Sequence, residues 1–189
     1  MRWLGGLALI LIFGLTARAQ MDHSMGSKSM MVLENASGKT FDVYWMSQMI
    51  EHHQGALEMA NGVLKDGKDA RVKKAAQDIV SAQSKEIKAL KGWLKSWYNA
   101  TPDPKQMALM REDMKPMIKG AMGGMEGMSG DADRRFLEGM IPHHQSAVDM
   151  GKLAFKKAAR PELKTFAQNV IDAQSKEIKQ YQAWLKGWK

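Results

Sequence analysis

The sequence predicts an all-α fold: a four-helix bundle made of two duplicated helical hairpins joined by a methionine-rich crossover helix. Three observations carry this. Apolar residues recur at spacings of three and four, the alternation of a half-buried strand is absent, and the second half repeats the first at a constant offset of 91 residues. With 189 residues, 44% hydrophobic and 25% charged, the chain can bury one sizeable core and is too balanced for disorder.

Residues 1–19 read as a cleavable signal peptide. Arg2 supplies a positive start, Leu4 to Leu15 an apolar run, and Ala17-Arg18-Ala19 a small-x-small cleavage site, with cleavage expected after Ala19. The run is shorter than the roughly 20 apolar residues that span a bilayer. No second run of spanning length follows and no cysteine is available for a lipid, so the mature chain is expected to be periplasmic or secreted, without stable membrane insertion. Losing Arg2 and Arg18 takes the formal charge from +8 to +6. Residues 20–39 read as a flexible segment holding Met21, His23 and Met25.

Residues 40–100 form the first predicted hairpin. Met46, Met49, Ile50, His53, Leu57 and Ala60 mark one helix, Asn61-Gly62 and Asp66-Gly67 punctuate the turn, and Val72 to Trp97 mark the second helix. Residues 101–130 form the crossover: after Thr101-Pro102-Asp103-Pro104, a short helix carries Met107, Met110, Met114 and Met117, and Pro116 with the glycine-rich run 120–130 then reads as flexible. Such a methionine stripe reads first as packing and second as ligands. Residues 131–189 repeat the hairpin, with Phe136 to Leu153 on one helix, a break at Arg160-Pro161, and Leu163 to Leu185 on the other. Pro142 removes a backbone donor, so a kink near Gly139 or a fresh helix start is expected there. Short connections favour antiparallel hairpins, and two hairpins bury their apolar stripes best as one bundle.

The composition also narrows the chemistry. There is no cysteine, so disulfide scaffolds, thiolate zinc fingers, cysteine-ligated iron–sulfur clusters and His₂Cys copper centres are excluded. In their place stand 17 Met and five His, four of the histidines in two adjacent pairs. Met49-Ile50 matches Met140-Ile141, His52-His53-Gln54 matches His143-His144-Gln145, Ala56 matches Ala147 and Met59 matches Met150. Residues 82–88 recur identically as 173–179. Neighbouring helical residues are turned by about 100°. Met49, His52 and Met59 are therefore expected on one edge of the helix, with His53 nearer the apolar stripe, and Met140, His143, Met150 and His144 should repeat the plan. These eight residues are the candidate metal ligands, in one shared site or two separate ones, and Met21, His23 and Met25 are a possible accessory arm. Glu86 and Glu177 are candidates to support a ligating histidine from behind.

Thioether and imidazole are soft or borderline donors that suit a copper ion, Cu(I) above Cu(II), whereas Mg²⁺ and Ca²⁺ would want carboxylates. A di-iron bundle would need Glu-x-x-His pairs, and no Glu lies three residues before any of the paired histidines. Neither a nucleophile elbow, a phosphate-binding glycine loop nor a His-Glu-x-x-His motif is present, so no enzyme activity is expected. Lysines interleaved with Glu and Asp, as in Lys85-Glu86-Ile87-Lys88, describe a solvated helix surface, and no nucleic-acid partner is expected.

Met49-Ile50-Glu51-His52-His53-Gln54-Gly55-Ala56-Leu57-Glu58-Met59-Ala60 and its copy from Met140 to Gly151 resemble the signature of the bacterial family called domain of unknown function 305. The resemblance covers roughly residues 40–189. It implies a ferritin-like four-helix fold and export, and for some members copper binding and copper tolerance, with the same eight Met and His residues as metal-site candidates. The expected role is to sequester or shuttle copper, with a copper-transport or delivery protein as a candidate partner. The alternative is a metal-free structural or stress protein of the envelope that uses its basic surface and exposed Trp93, Trp97, Trp184 and Trp188 to bind a partner or envelope component, and a third reading is a metalloenzyme.

Overall fold

A computed structural model describes residues 27–123 and 131–188. Residues 1–19, expected as a signal peptide, and the expected accessory arm Met21, His23 and Met25 lie outside the described residues. Six helices follow in order: α1 (Lys28–Asn35), α2 (Gly38–Asp66), α3 (Ala70–Tyr98), α4 (Pro104–Ala121), α5 (Ala132–Lys157) and α6 (Pro161–Lys186). Helices α2 with α3 and α5 with α6 are the two hairpins, and they share one core built on Trp45, Phe41, Phe136, Leu90, Leu94 and Tyr181. Among the described residues no helix is long and apolar enough to cross a membrane.

The helix starts follow local chemistry. Ser27, Asp69, Asp103 and Asp131 each accept a backbone N–H from the first turn they precede. Pro104 and Pro161 occupy first-turn positions where no N–H is needed. Asn99 takes a left-handed conformation (φ 47°) that closes α3, and the Ala100 amide returns to the Leu94 carbonyl.

Several boundaries differ from the sequence expectation, each for a visible reason. The segment 20–39, expected to be flexible, contains α1. Leu33 is fully buried, the Ser29 amide donates to Asp113 on α4 at 3.0 Å, and Lys157 donates to the Leu33 carbonyl at 3.2 Å. Asn61-Gly62 does not turn the chain, because α2 runs on to Asp66. Gly62 instead gives room to Met122, whose sulfur would lie 2.5 Å from a Cβ at that position. Helix α4 continues through Pro116 to Ala121, and α5 is continuous across Pro142, so no new helix begins there. The four C-terminal tryptophans are half-buried rather than exposed. Trp93 stacks on Trp97 at 4.7 Å and meets Phe166 edge-on, while Trp184 lies against Tyr181.

The halves are locked together by a reciprocal pair of carboxylates. Asp42, fully buried near the start of α2, accepts the Tyr98 hydroxyl at 2.6 Å and the amides of Ala159 and Arg160 at 2.9 and 3.2 Å. Its counterpart at the 91-residue offset is Asp133 near the start of α5, which accepts the amides of Lys68 and Asp69 at 2.6 and 3.0 Å. Each half therefore supplies the acceptor that holds the other half's hairpin turn. Burial, followed by the bond to Asp42, pushes the Tyr98 hydroxyl up to about 12.

Candidate metal centre

The two histidine pairs come from α2 and α5, the first helix of each hairpin, and meet where these helices cross. His52 and His143 lie ring against ring, with centroids 3.8 Å apart. His53 is 6.2 Å from His52, and His144 is 6.1 Å from His143, so the four rings form one contiguous row. All four are fully buried, as are Met49 and Met140, and Met59 and Met150 are nearly so. His52, expected on a helix edge with His53 nearer the apolar stripe, is as fully buried as His53: α5 covers the one and α3 the other.

Met59 and Met150 each lie against the other half's motif helix. The Met59 methyl approaches Gly139, where a Cβ would meet it at 3.1 Å, and the Met150 carbonyl accepts the Trp45 indole N–H at 2.9 Å. The structure thus brings the histidine pairs of the two motifs together through His52 and His143.

The hydrogen bonds fix where the central protons sit. Ser146 Oγ donates to the His143 carbonyl at 2.9 Å, so it accepts from His52 Nε2, 2.7 Å away. His143 Nε2 lies 3.1 Å from the His52 carbonyl, which can only accept. Both rings therefore carry their proton on Nε2 and leave Nδ1 as a bare lone pair. Neither Nδ1 has a hydrogen-bond partner among the described residues. Burial, reinforced by the neighbouring imidazoles, holds both His52 and His143 well below the usual histidine range, so they are neutral at pH 7.

The outer rings face carboxylates. His53 Nε2 lies 2.8 Å from Glu86 on α3, and His144 Nε2 lies 2.9 Å from Glu177 on α6. The approaches are off the N–H axis, which makes them close electrostatic contacts rather than aligned hydrogen bonds. The identical 82–88 and 173–179 segments therefore place a carboxylate behind each outer histidine. One difference between the halves is Tyr181 beside His144, at 5.9 Å, where the offset puts Leu90 in the first half. Among the described residues no three His, Cys, Asp or Glu side chains are arranged to hold a metal ion, so imidazole and carboxylate do not complete a coordination shell in this conformation.

With this geometry in view, the relatives can be compared. The family described as "Domain of unknown function (DUF305)" matches over residues 14–94 and 56–185, which together span most of the chain. The chain belongs to the DUF305 family. This DUF305 protein is also similar to CopM in its Cu(I)-bound form, with 30% identity over 78% of this chain and 96% of that one and a TM-score of 0.64. The Cu(II)-bound form gives 32% identity over 78% and 98% at the same TM-score. A DUF305 protein from Streptomyces coelicolor is 26% identical over 77% of this chain and 92% of its own, with a TM-score of 0.63. A 53-residue stretch is 36% identical to uncharacterized protein L153 of Acanthamoeba polyphaga mimivirus, covering 28% of this chain and 35% of that protein, so the chain spans about a third of the length of that curated relative.

Proposed function

We propose that this DUF305 protein is exported and binds copper, preferring Cu(I), through histidine and methionine, and that it sequesters or hands on the ion without turnover, in copper homeostasis or tolerance. The observation that carries this reading is the close, tilted pair of neutral imidazoles, His52 and His143, whose Nδ1 lone pairs are buried and unpartnered among the described residues. A buried acceptor without a partner is uncommon and needs an explanation such as a bound ion. Neutral nitrogen donors set among buried thioethers suit a soft monovalent cation, because binding there displaces no proton from a ligand. Structures of CopM with Cu(I), Cu(II) and silver, on a chain about 30% identical, support the same chemistry. The metal-free alternative invokes a basic surface together with exposed tryptophans, and of these two features the tryptophans are half-buried.

The test is an anaerobic Cu(I) competition titration of the mature chain beside a variant with His52, His53, His143 and His144 all changed to Ala. The expected loss of affinity exceeds the roughly 10–100-fold that removal of an outer partner costs at metal sites. A His52→Gln/His143→Gln variant, checked for retained helix by circular dichroism, covers the case in which the quadruple variant fails to fold. Equal affinity in wild type and folded variants overturns the site, and absence of binding by the wild type overturns the copper reading. A pH series adds a further expectation: because burial holds His52 and His143 neutral well below the usual histidine range, the affinity of the folded wild type does not begin to fall near pH 6.5, as it would at solvent-exposed histidines.

A further inference from the structure

The repeat accounts for α2, α3, α5 and α6, but not for α4, which has no copy. This helix runs parallel to α2 and touches it level by level. The Gln48 amide donates to Gln106 at 2.8 Å, Met114 approaches Gly55, and Met122 approaches Gly62. Gln48, His52, Gly55, Met59 and Gly62 follow one another at steps of four, three, four and three, so they form a single stripe of α2. Facing it, Gln106, Met110, Met114, Ile118 and Met122 recur at steps of four. If Gln48 is level with Gln106 and Gly55 with Met114, then the level of His52 is that of Met110. Both methionines are buried, at 3% and 1% exposure. The far end of α4 also reaches α5, where a Cβ on Gly139 would meet Ala121 at 3.0 Å and the Met117 carbonyl at 3.2 Å. Helix α4 therefore lies over the seam between α2 and α5 that holds the His52–His143 pair.

A second observation points to the same place. The duplicated motif departs from itself beside the central pair, with Gly55 in the first copy and Ser146 in the second. Ser146 is hydrogen-bonded to His52. At Gly55 a Cβ would stand 3.1 Å from the Ile118 Cδ1, 3.2 Å from the Met114 methyl and 3.4 Å from its sulfur, so glycine lets both the isoleucine and that thioether of α4 settle against α2 one turn beyond His52. On the side where α4 arrives, the repeat has given up a side chain.

We infer that Met110 and Met114 of the crossover helix are the thioether donors that close the His52–His143 centre around a soft monovalent cation, which makes it one asymmetric site rather than two equivalent ones. This rests on the copper reading above and assigns its sulfur ligands. Packing alone would be served as well by leucine, which matches methionine in volume at small cost in a core. Only a sulfur lone pair separates the two roles.

The experiment compares Ag(I) and Cu(I) binding, by anaerobic competition, for the wild type, Met110→Leu/Met114→Leu and Met49→Leu/Met140→Leu. The expected result is a loss of about tenfold or more in the first variant, a smaller change in the second, and unchanged helical content in both. Wild-type binding together with an undiminished Met110→Leu/Met114→Leu variant, or a loss confined to Met49→Leu/Met140→Leu, overturns this assignment and leaves the copper reading standing. A wild type that binds neither ion overturns both. Should the Met110→Leu/Met114→Leu variant misfold, copper-edge X-ray absorption of the Met49→Leu/Met140→Leu protein decides: sulfur scattering is expected to persist, and its disappearance overturns the assignment.

Discussion

Replacing Asp42 with Ala is expected to lower the unfolding free energy by about 3–5 kcal/mol, because it strands three donors at once and each unsatisfied group costs about 1–3 kcal/mol, less where water can enter. The stranded groups are the Tyr98 hydroxyl and the Ala159 and Arg160 amides. Asp133→Ala strands two amides, Lys68 and Asp69, so about 2–4 kcal/mol is expected there. At about 2–4 °C per kcal/mol for a chain of this size, Asp42→Ala should melt roughly 10 °C below the wild type. Tyr98→Phe removes one of the three donors without stranding any, and should cost only about 1 kcal/mol. The two carboxylates hold different turns and share no partner, so the double variant should come close to the sum of the singles. Urea denaturation at pH 7, followed by circular dichroism, measures all four. A loss below about 1 kcal/mol for Asp42→Ala would show that the buried carboxylate is not the clasp between the halves. Because each half completes the other's turn, the wild type should also unfold in one transition rather than hairpin by hairpin.

These clasps show where sequence reasoning reached its limit. The hairpins were legible because a packed helix must repeat its apolar residues every three or four positions, and because the 91-residue offset displays that pattern twice. The same offset pairs Asp42 with Asp133. An isolated Asp near a helix start ordinarily reads as a cap or a solvated charge, and its acceptors point to a turn distant in sequence. The histidine pairs were legible as a duplicated motif, but adjacency on a helix gives no account of what lies across from it. That His52 meets His143, while His53 and His144 turn to Glu86 and Glu177, depends on how α2 crosses α5. Residues 28–35 give no helix signal of their own in the sequence because an eight-residue helix is marginal by itself. It is held by Asp113 and Lys157, which tertiary structure brings to its two ends.

Acid should weaken the fold before carboxylates begin to titrate. His52 and His143 are kept neutral by burial, whereas in the unfolded chain they regain a pKa near 6.5. Above that value both states hold the rings neutral, and the pair contributes no pH dependence. Below it the unfolded chain takes up protons that the folded protein excludes, so stability falls as the pH falls, by about 1.4 kcal/mol per pH unit for each ring at full slope. Between pH 6.5 and 5 the stability should therefore fall progressively, with the slope steepening as the unfolded rings become fully protonated. A His52→Gln/His143→Gln variant should lose most of that slope while keeping the steeper decline that carboxylates cause at lower pH. A soft cation on the Nδ1 lone pairs binds the folded protein, whose central rings stay unprotonated in this window, so saturating Ag(I) or Cu(I) should raise stability throughout it, as any ligand of the folded state does. Urea midpoints at half-unit pH steps, with and without Ag(I), read both effects. A wild-type midpoint that stays flat from pH 7 to 5 would mean that water reaches the central rings and that they are not the neutral, desolvated donors on which the copper reading depends.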